Sequence, residues 1–174
     1  MSEPVLRSLE DIEEGSDLGE VVFGPVTRSD IAAYADASGD DNPIHQDETY
    51  ARAQGSPTVF AMGMLNAGYL AHALSDWFGG PQHLRRFKVR FTTRVWPGDE
   101  LACTGTVSSV EGQVVSIDLK ATRRGPGPGG IDLPQEEVAL TGLAEVELPS
   151  GGPTPAAGVA ADTLERRIGG EGGA

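Results

Sequence analysis

The densest group of side chains able to do proton chemistry is Ser38-Gly39-Asp40-Asp41-Asn42-Pro43-Ile44-His45-Gln46-Asp47. A carboxylate beside an imidazole can hold one water, take a proton from it and return a proton elsewhere. Asp40 and His45 are the pair this stretch offers for that work. The residue before a proline avoids the right-handed helical region, so Asn42 is extended, the chain folds back there, and Asp40 approaches His45. The same residues also make an Asx turn and helix N-cap carrying a surface histidine. From spacing alone both readings stand.

Two elements must flank this turn. T-R-S-D at 27–30 reads as a capping box opening a helix that stops at Ser38-Gly39. Asn42 as N-cap, Pro43 at the first helical position and acidic Asp47 and Glu48 predict a short helix from Pro43 to about Arg52. Asp41 and Asp47 then cap and solvate the turn. Next comes MGMLNAGYLAHALSDWF, apolar or small nearly all round, the pattern of a buried helix.

VVFGP (21–25) is a strand candidate ahead of these helices, and after Gly79-Gly80-Pro81 the period changes to two. Strands are predicted over 84–95, 101–110, 114–123 and 137–148, with turns at Pro97-Gly98 and Glu111-Gly112 and a Gly/Pro loop at 125–134. In the first of these, Phe87, Val89, Phe91 and Val95 alternate with basic Arg86, Lys88, Arg90 and Arg94; the last has Val138, Leu140, Ala144, Val146 and Leu148 on one face. Strands in succession with short turns predict an antiparallel meander. A sheet buries a nearly all-apolar helix by wrapping around it, so the expected class is α+β, a curved antiparallel sheet around one long central helix.

The chain has 174 residues, room for one domain, and a formal net charge of −13. That charge argues against nucleic-acid partners, which need a basic surface, and against anionic membranes. The apolar stretch from Phe60 to Phe78 is broken by Asn66, His72, Ser75 and Asp76, which excludes a membrane span. One cysteine excludes an internal disulfide, and MSEPVLRSLEDIEEG has neither the basic nor the apolar region of a secretory signal. The expectation is a soluble, cytoplasmic, single-domain protein: an acidic flexible lead-in at 1–16, a folded domain at 17–148 and a Gly/Pro-rich flexible tail at 149–174, with at most a helical turn near Leu164.

The stretch S-G-D-x-N-P-I-H-x-D-x-x-x-A, spelled by Ser38 to Ala51, closely resembles the signature of MaoC-like (R)-specific enoyl-CoA hydratases. The resemblance extends over 17–148, including Gly63-Met64-Leu65 and R-F-x-V-R-F. It implies a single hot-dog fold and interconversion of trans-2-enoyl and (R)-3-hydroxyacyl thioesters. It places water activation on Asp40 and His45, the shaping of the turn on Asn42, and the backbone N–H that holds the substrate carbonyl on Gly63. Relatives often carry His-Gly where this chain has Met62-Gly63, which leaves the backbone donor in place and alters the pocket that Met62 and Met64 would line.

No metal or other cofactor is implied; CoA or pantetheine enters as part of the substrate. Arg86, Lys88 and Arg90 are candidates for its phosphates, or are an ordinary solvated face. Such enzymes resemble homodimers, with a heterodimer of related hot-dog subunits as the variant. Two other activities fit the same scaffold: an acyl-CoA thioesterase, and a supporting subunit of a heteromeric dehydratase.

Overall fold

A computed structural model describes residues 9–129 and 134–150. The elements are β1 (Asp17–Phe23), α1 (Arg28–Ser38), α2 (Glu48–Ala53), α3 (Gly63–Phe78), β2 (Leu84–Phe91), β3 (Glu100–Glu111), β4 (Val114–Arg124) and β5 (Glu136–Glu147). One antiparallel sheet runs in the order β1-β3-β4-β5-β2, and α3 packs against it. This is the α+β hot-dog arrangement of a sheet around a central helix.

The capping box forms as read: Thr27 Oγ1 accepts from the Asp30 N–H at 3.1 Å, and Asp30 Oδ2 accepts from the Thr27 N–H at 2.8 Å. α3 buries Ala67, Leu70, Ala73, Leu74, Trp77 and Phe78. The helix lies close to the sheet because β3 carries glycine where a side chain would collide. A Cβ on Gly105 would stand 3.0 Å from both Trp77 Cζ3 and Leu18 Cδ1. Among the described residues no helix is long and apolar enough to cross a membrane.

The meander is real only for β3-β4-β5; the expected pairing of the first long strand with β3 is corrected. β2 lies at the far edge and pairs with β5, Phe87 opposite Ala144 and Phe91 opposite Leu140. The Pro97-Gly98 signal marks a turn within a crossing segment, and a turn signal carries no information about which strand comes next. That segment is tied elsewhere: Ala61 N–H donates to Val95 O at 2.9 Å, and Val26 N–H to Asp99 O at 2.8 Å. β2 therefore ends at Phe91, and Arg94 does not share its face.

Other boundaries move for local reasons. The helix expected from Pro43 to Arg52 is a 3-10 turn (Pro43–His45) followed by α2, because Asp47 Oδ1 accepts from the Thr49 and Tyr50 N–H groups and starts a new helix. β5 is bulged: Ala121 faces Leu140 but Thr122 faces Val138, so Ala139 is an extra residue that reverses the faces. Ala139 is thus buried at 1% exposure and Val138, expected inside, is 39% exposed.

The lead-in is corrected in its second half. Leu9 packs against the core, Ile12 is 7% exposed, and Gly15 N–H donates to Val107 O at 2.8 Å. Acidic neighbours hid two apolar anchors that cover the end of the sheet. Ile12→Ala is expected to lower unfolding free energy by about 2 kcal/mol, read as a shifted urea midpoint at constant slope. Residues 1–8, the tip of the 125–134 loop and the tail beyond 150, with the turn expected near Leu164, lie outside the described residues.

Candidate active site

α1 ends at Gly39, whose φ of 70° reverses the chain into the turn that carries the polar cluster. Asp40 is half-buried, its Oδ1 accepting from the Asn42 N–H at 3.3 Å. Asn42, extended as the following proline demands, caps the next turn by accepting from the Ile44 N–H at 3.1 Å. That cap sets the position of His45 in the same 3-10 turn. No hydrogen bond or ion pair joins Asp40 directly to His45; each is held by its own backbone partner.

His45 Nδ1 lies 2.7 Å from Phe60 O. A carbonyl oxygen only accepts, so Nδ1 carries a proton, and in the neutral imidazole the lone pair is the one on Nε2. The half-buried imidazole also meets the Phe60 ring edge-on, at 4.8 Å between centroids. Phe60 in turn meets Trp96 at 6.0 Å, and the exposed Arg94 guanidinium lies 4.8 Å over the Phe60 ring.

Three residues after Phe60, α3 begins. Met62 is its N-cap and makes no side-chain hydrogen bond, so among the described residues the first N–H groups of the helix have no side-chain acceptor. Such groups, at the positive end of the helix dipole, are donors for an oxyanion. Gly63 leaves its backbone open: a Cβ there would fall 3.1–3.3 Å from the Phe91 ring. One turn further in, Asn66 is 3% exposed and its Oδ1 has no hydrogen-bond partner among the described residues.

The remaining candidates disperse. Met62 is buried at 2% exposure, whereas Met64 is 60% exposed. Arg86 and Lys88 line a cavity of about 330 Å³ with Ser109, Ser116 and Glu145, and none of Asp40, His45 or Gly63 lines it. Arg86 is paired with Glu145 at 3.1 Å. Arg90 is exposed on β2. The solvated-face reading describes Arg86 better than a place beside the turn does. Cys103 is fully buried, and burial pushes its thiol up to about 12, so it is no nucleophile. Among the described residues no group of three or more His, Cys, Asp or Glu side chains could hold a metal ion.

Sequence reasoning passed over Phe60, Trp96 and the pair Asp99–Arg123. Asp99 Oδ2 accepts from the Trp96 N–H at 2.9 Å, and the fully buried Arg123 lies 3.4 Å from the same oxygen. Arg123 also reaches Glu137 at 2.9 Å and Pro134 O at 2.7 Å. The available signal was an arginine on the inward face of a period-two strand, at 123.

An (R)-specific enoyl-CoA hydratase of Rhodospirillum rubrum is 29% identical over 149 residues, which are 85% of this chain and 96% of that protein. The R-hydratase PhaJ1 of Pseudomonas aeruginosa superposes with a TM-score of 0.68 at 22% identity, over 89% of this chain and 97% of its own. A chain of the ChsH1-ChsH2 complex of Mycobacterium tuberculosis gives a TM-score of 0.63 at 22% identity, over 78% of this chain and 98% of its own. The model of the MaoC like domain matches residues 13–124, well over half of the sequence, and the protein belongs to the MaoC-like family.

Proposed function

We propose that the protein is a hydro-lyase that adds water to trans-2-enoyl thioesters to give (R)-3-hydroxyacyl thioesters, or runs the reverse dehydration. The observation that carries this is the 2.7 Å bond from His45 Nδ1 to Phe60 O. It aims a lone pair at Nε2, and the segment that makes the bond continues directly into the uncapped N-terminus of α3 at Gly63. Base and oxyanion donor are thereby fixed by one stretch of backbone.

The substrate carbonyl accepts from the Gly63 N–H. Asp40 and the Nε2 of His45 hold one water between them, and the water proton passes to this pair as its oxygen bonds to C3. The C2=C3 electrons move into the enolate, whose oxygen charge the helix N-terminus stabilises. The same proton is then delivered to C2 on the same face, completing a syn addition. CoA or pantetheine serves as the substrate's handle, and the step uses no further cofactor. The relative of Rhodospirillum rubrum, named for this activity, supports the reading over most of both chains.

The test is crotonyl-CoA with the purified chain, followed by loss of the conjugated-enoyl absorbance and by the configuration of the product. Release of free thiol without a 3-hydroxyacyl product would decide for a thioesterase. Activity that appears only with a second hot-dog chain would decide for the supporting-subunit reading. A homodimer is proposed on the unpaired outer edge of β2, with Phe91 47% exposed beside it.

Gly63→Ala probes the oxyanion donor without unfolding the chain. Alanine favours helix, and the half-exposed Phe91 ring can yield the few tenths of an ångström a Cβ needs. The melting temperature is expected to stay within a few degrees while turnover falls about 10- to 100-fold through misplacement of the thioester. Unchanged turnover would remove Gly63 from the mechanism.

A further inference from the structure

Arg94 brings an uncompensated cation to the candidate active site. Arg28, Arg52, Arg85, Arg86, Arg123 and Arg124 each pair with a carboxylate. Arg94 has no hydrogen bond or ion pair among the described residues, and of the described arginines only Arg90, exposed on β2, is equally free. What holds the Arg94 guanidinium is aromatic: it lies 4.8 Å over the Phe60 ring and 6.0 Å from the centre of the Trp96 ring. Attraction to a ring acts on the charge as a whole and leaves the N–H donors available to another partner.

Phe60 is also the ring that meets His45, again at 4.8 Å between centroids, so the guanidinium and the imidazole stand less than ten ångströms apart. In the hydration reading, water held at His45 Nε2 adds to C3 of the acyl group. A substrate group received by Arg94 therefore lies within a few carbons of C3. The phosphates of the handle stand at the far end of the whole pantetheine arm, beyond that reach. The group that a planar fork of donors matches at both of its oxygens is a carboxylate.

Charge points the same way. The chain carries −13 and the site holds the Asp40 carboxyl group, so an anionic acyl chain is repelled unless a cation receives it. A plain alkyl chain laid against Arg94 would instead strip water from the guanidinium and return no hydrogen bond.

We infer that Arg94 is a specificity-determining residue, and that the substrates are trans-2-enoyl thioesters whose acyl chain ends in a carboxylate one to three carbons beyond C3. The inference rests on the hydration reading above and names the acyl group that reading leaves open. The chemistry at C2 and C3 is unchanged; the guanidinium holds the remote carboxylate and neither gains nor loses a proton.

The full-length chain is assayed with glutaconyl-CoA against pent-2-enoyl-CoA, which share chain length and differ in ending in a carboxylate or a methyl group. The wild-type kcat/KM should favour glutaconyl-CoA by about tenfold to a hundredfold, the worth of a charge-assisted contact, carried mainly by KM. Arg94→Gln should abolish that preference, and Arg94→Lys, a point charge without the fork, should keep part of it. Arg90→Gln removes an equally exposed cation and should leave the preference intact. Arg94 is exposed, so the fold is preserved and checked by circular dichroism. Equal use of the two substrates by the wild type, or an undiminished preference in Arg94→Gln, overturns the inference. So does an Arg94→Gln protein that loses affinity equally for both substrates and for CoA alone, which would give the guanidinium to the handle. Binding is read separately by calorimetry with glutaryl-CoA and pentanoyl-CoA, saturated thioesters that cannot be hydrated. An Arg94-dependent preference there without any hydration sinks the activity and leaves this inference standing; hydration without the preference does the reverse. Binding of neither thioester sinks both.

Discussion

Exchanging His45 for glutamine is expected to lower turnover of an enoyl thioester by about 10²- to 10⁴-fold, the usual worth of a positioned general acid–base group. Glutamine is the informative replacement because its amide NH₂ can still donate to Phe60 O, the acceptor 2.7 Å from Nδ1 in the native protein. The backbone of the Phe60–Gly63 segment then keeps its partner while the lone pair at Nε2 is gone. Stability should change by less than about 1.5 kcal/mol, the net worth of one ordinary hydrogen bond. Asp40→Asn should lose turnover by a similar factor, since the amide keeps an oxygen for the Asn42 N–H 3.3 Å away but no longer carries the charge. Steady-state kinetics beside thermal melts check both. A fully active His45→Gln protein would end the assignment.

The largest expected effect on stability lies away from this chemistry, at Asp99. Arg123 and Asp99 are both 0% exposed, in contact at 3.4 Å. Asp99→Ala leaves the guanidinium buried with Glu137 as its only carboxylate among the described residues, and also strips the Trp96 N–H of the acceptor it reaches at 2.9 Å. Breaking a buried pair from one side costs about 3–5 kcal/mol. The double variant Asp99→Ala/Arg123→Met should recover part of that loss, because the stranded charge is removed together with its partner. Denaturant melts of the three variants measure this directly. A single variant that loses less than about 1 kcal/mol would show that Glu137 and the Pro134 carbonyl suffice for Arg123.

The Asp99 network bears on the site through the backbone. It anchors Trp96, whose neighbour Val95 accepts the Ala61 N–H at 2.9 Å, and Ala61 lies between the carbonyl that orients His45 and the N–H of Gly63. The crossing segment 92–99 is therefore the prop under the candidate site. This gives the arrangement a physical reason: the histidine of the polar turn and the segment leading into the helix N-terminus are both tied, through backbone carbonyls, to a stretch held by a buried ion pair.

Much of this was written in the sequence because it depends on neighbours along the chain. Thr27 and Asp30 cap α1, Pro43 forces Asn42 to extend, and the small and apolar run at 63–78 requires burial; each follows from geometry within a few residues. The alternation at 114–123 told the inside of β4 from the outside, because a half-buried strand has period two. Tertiary structure alone decided three things. It put β2 beside β5, since strand order depends on which edge is free once the sheet has wrapped around α3. It turned Val138 outward, since the bulge at Ala139 shows only against the register of β4. It gave His45 its tautomer, since Phe60 O arrives from fifteen residues away and belongs to no local motif. Local sequence sets which groups are present and how each turn begins, whereas the direction in which a lone pair points is fixed by whatever long-range contact holds the opposite side of the ring.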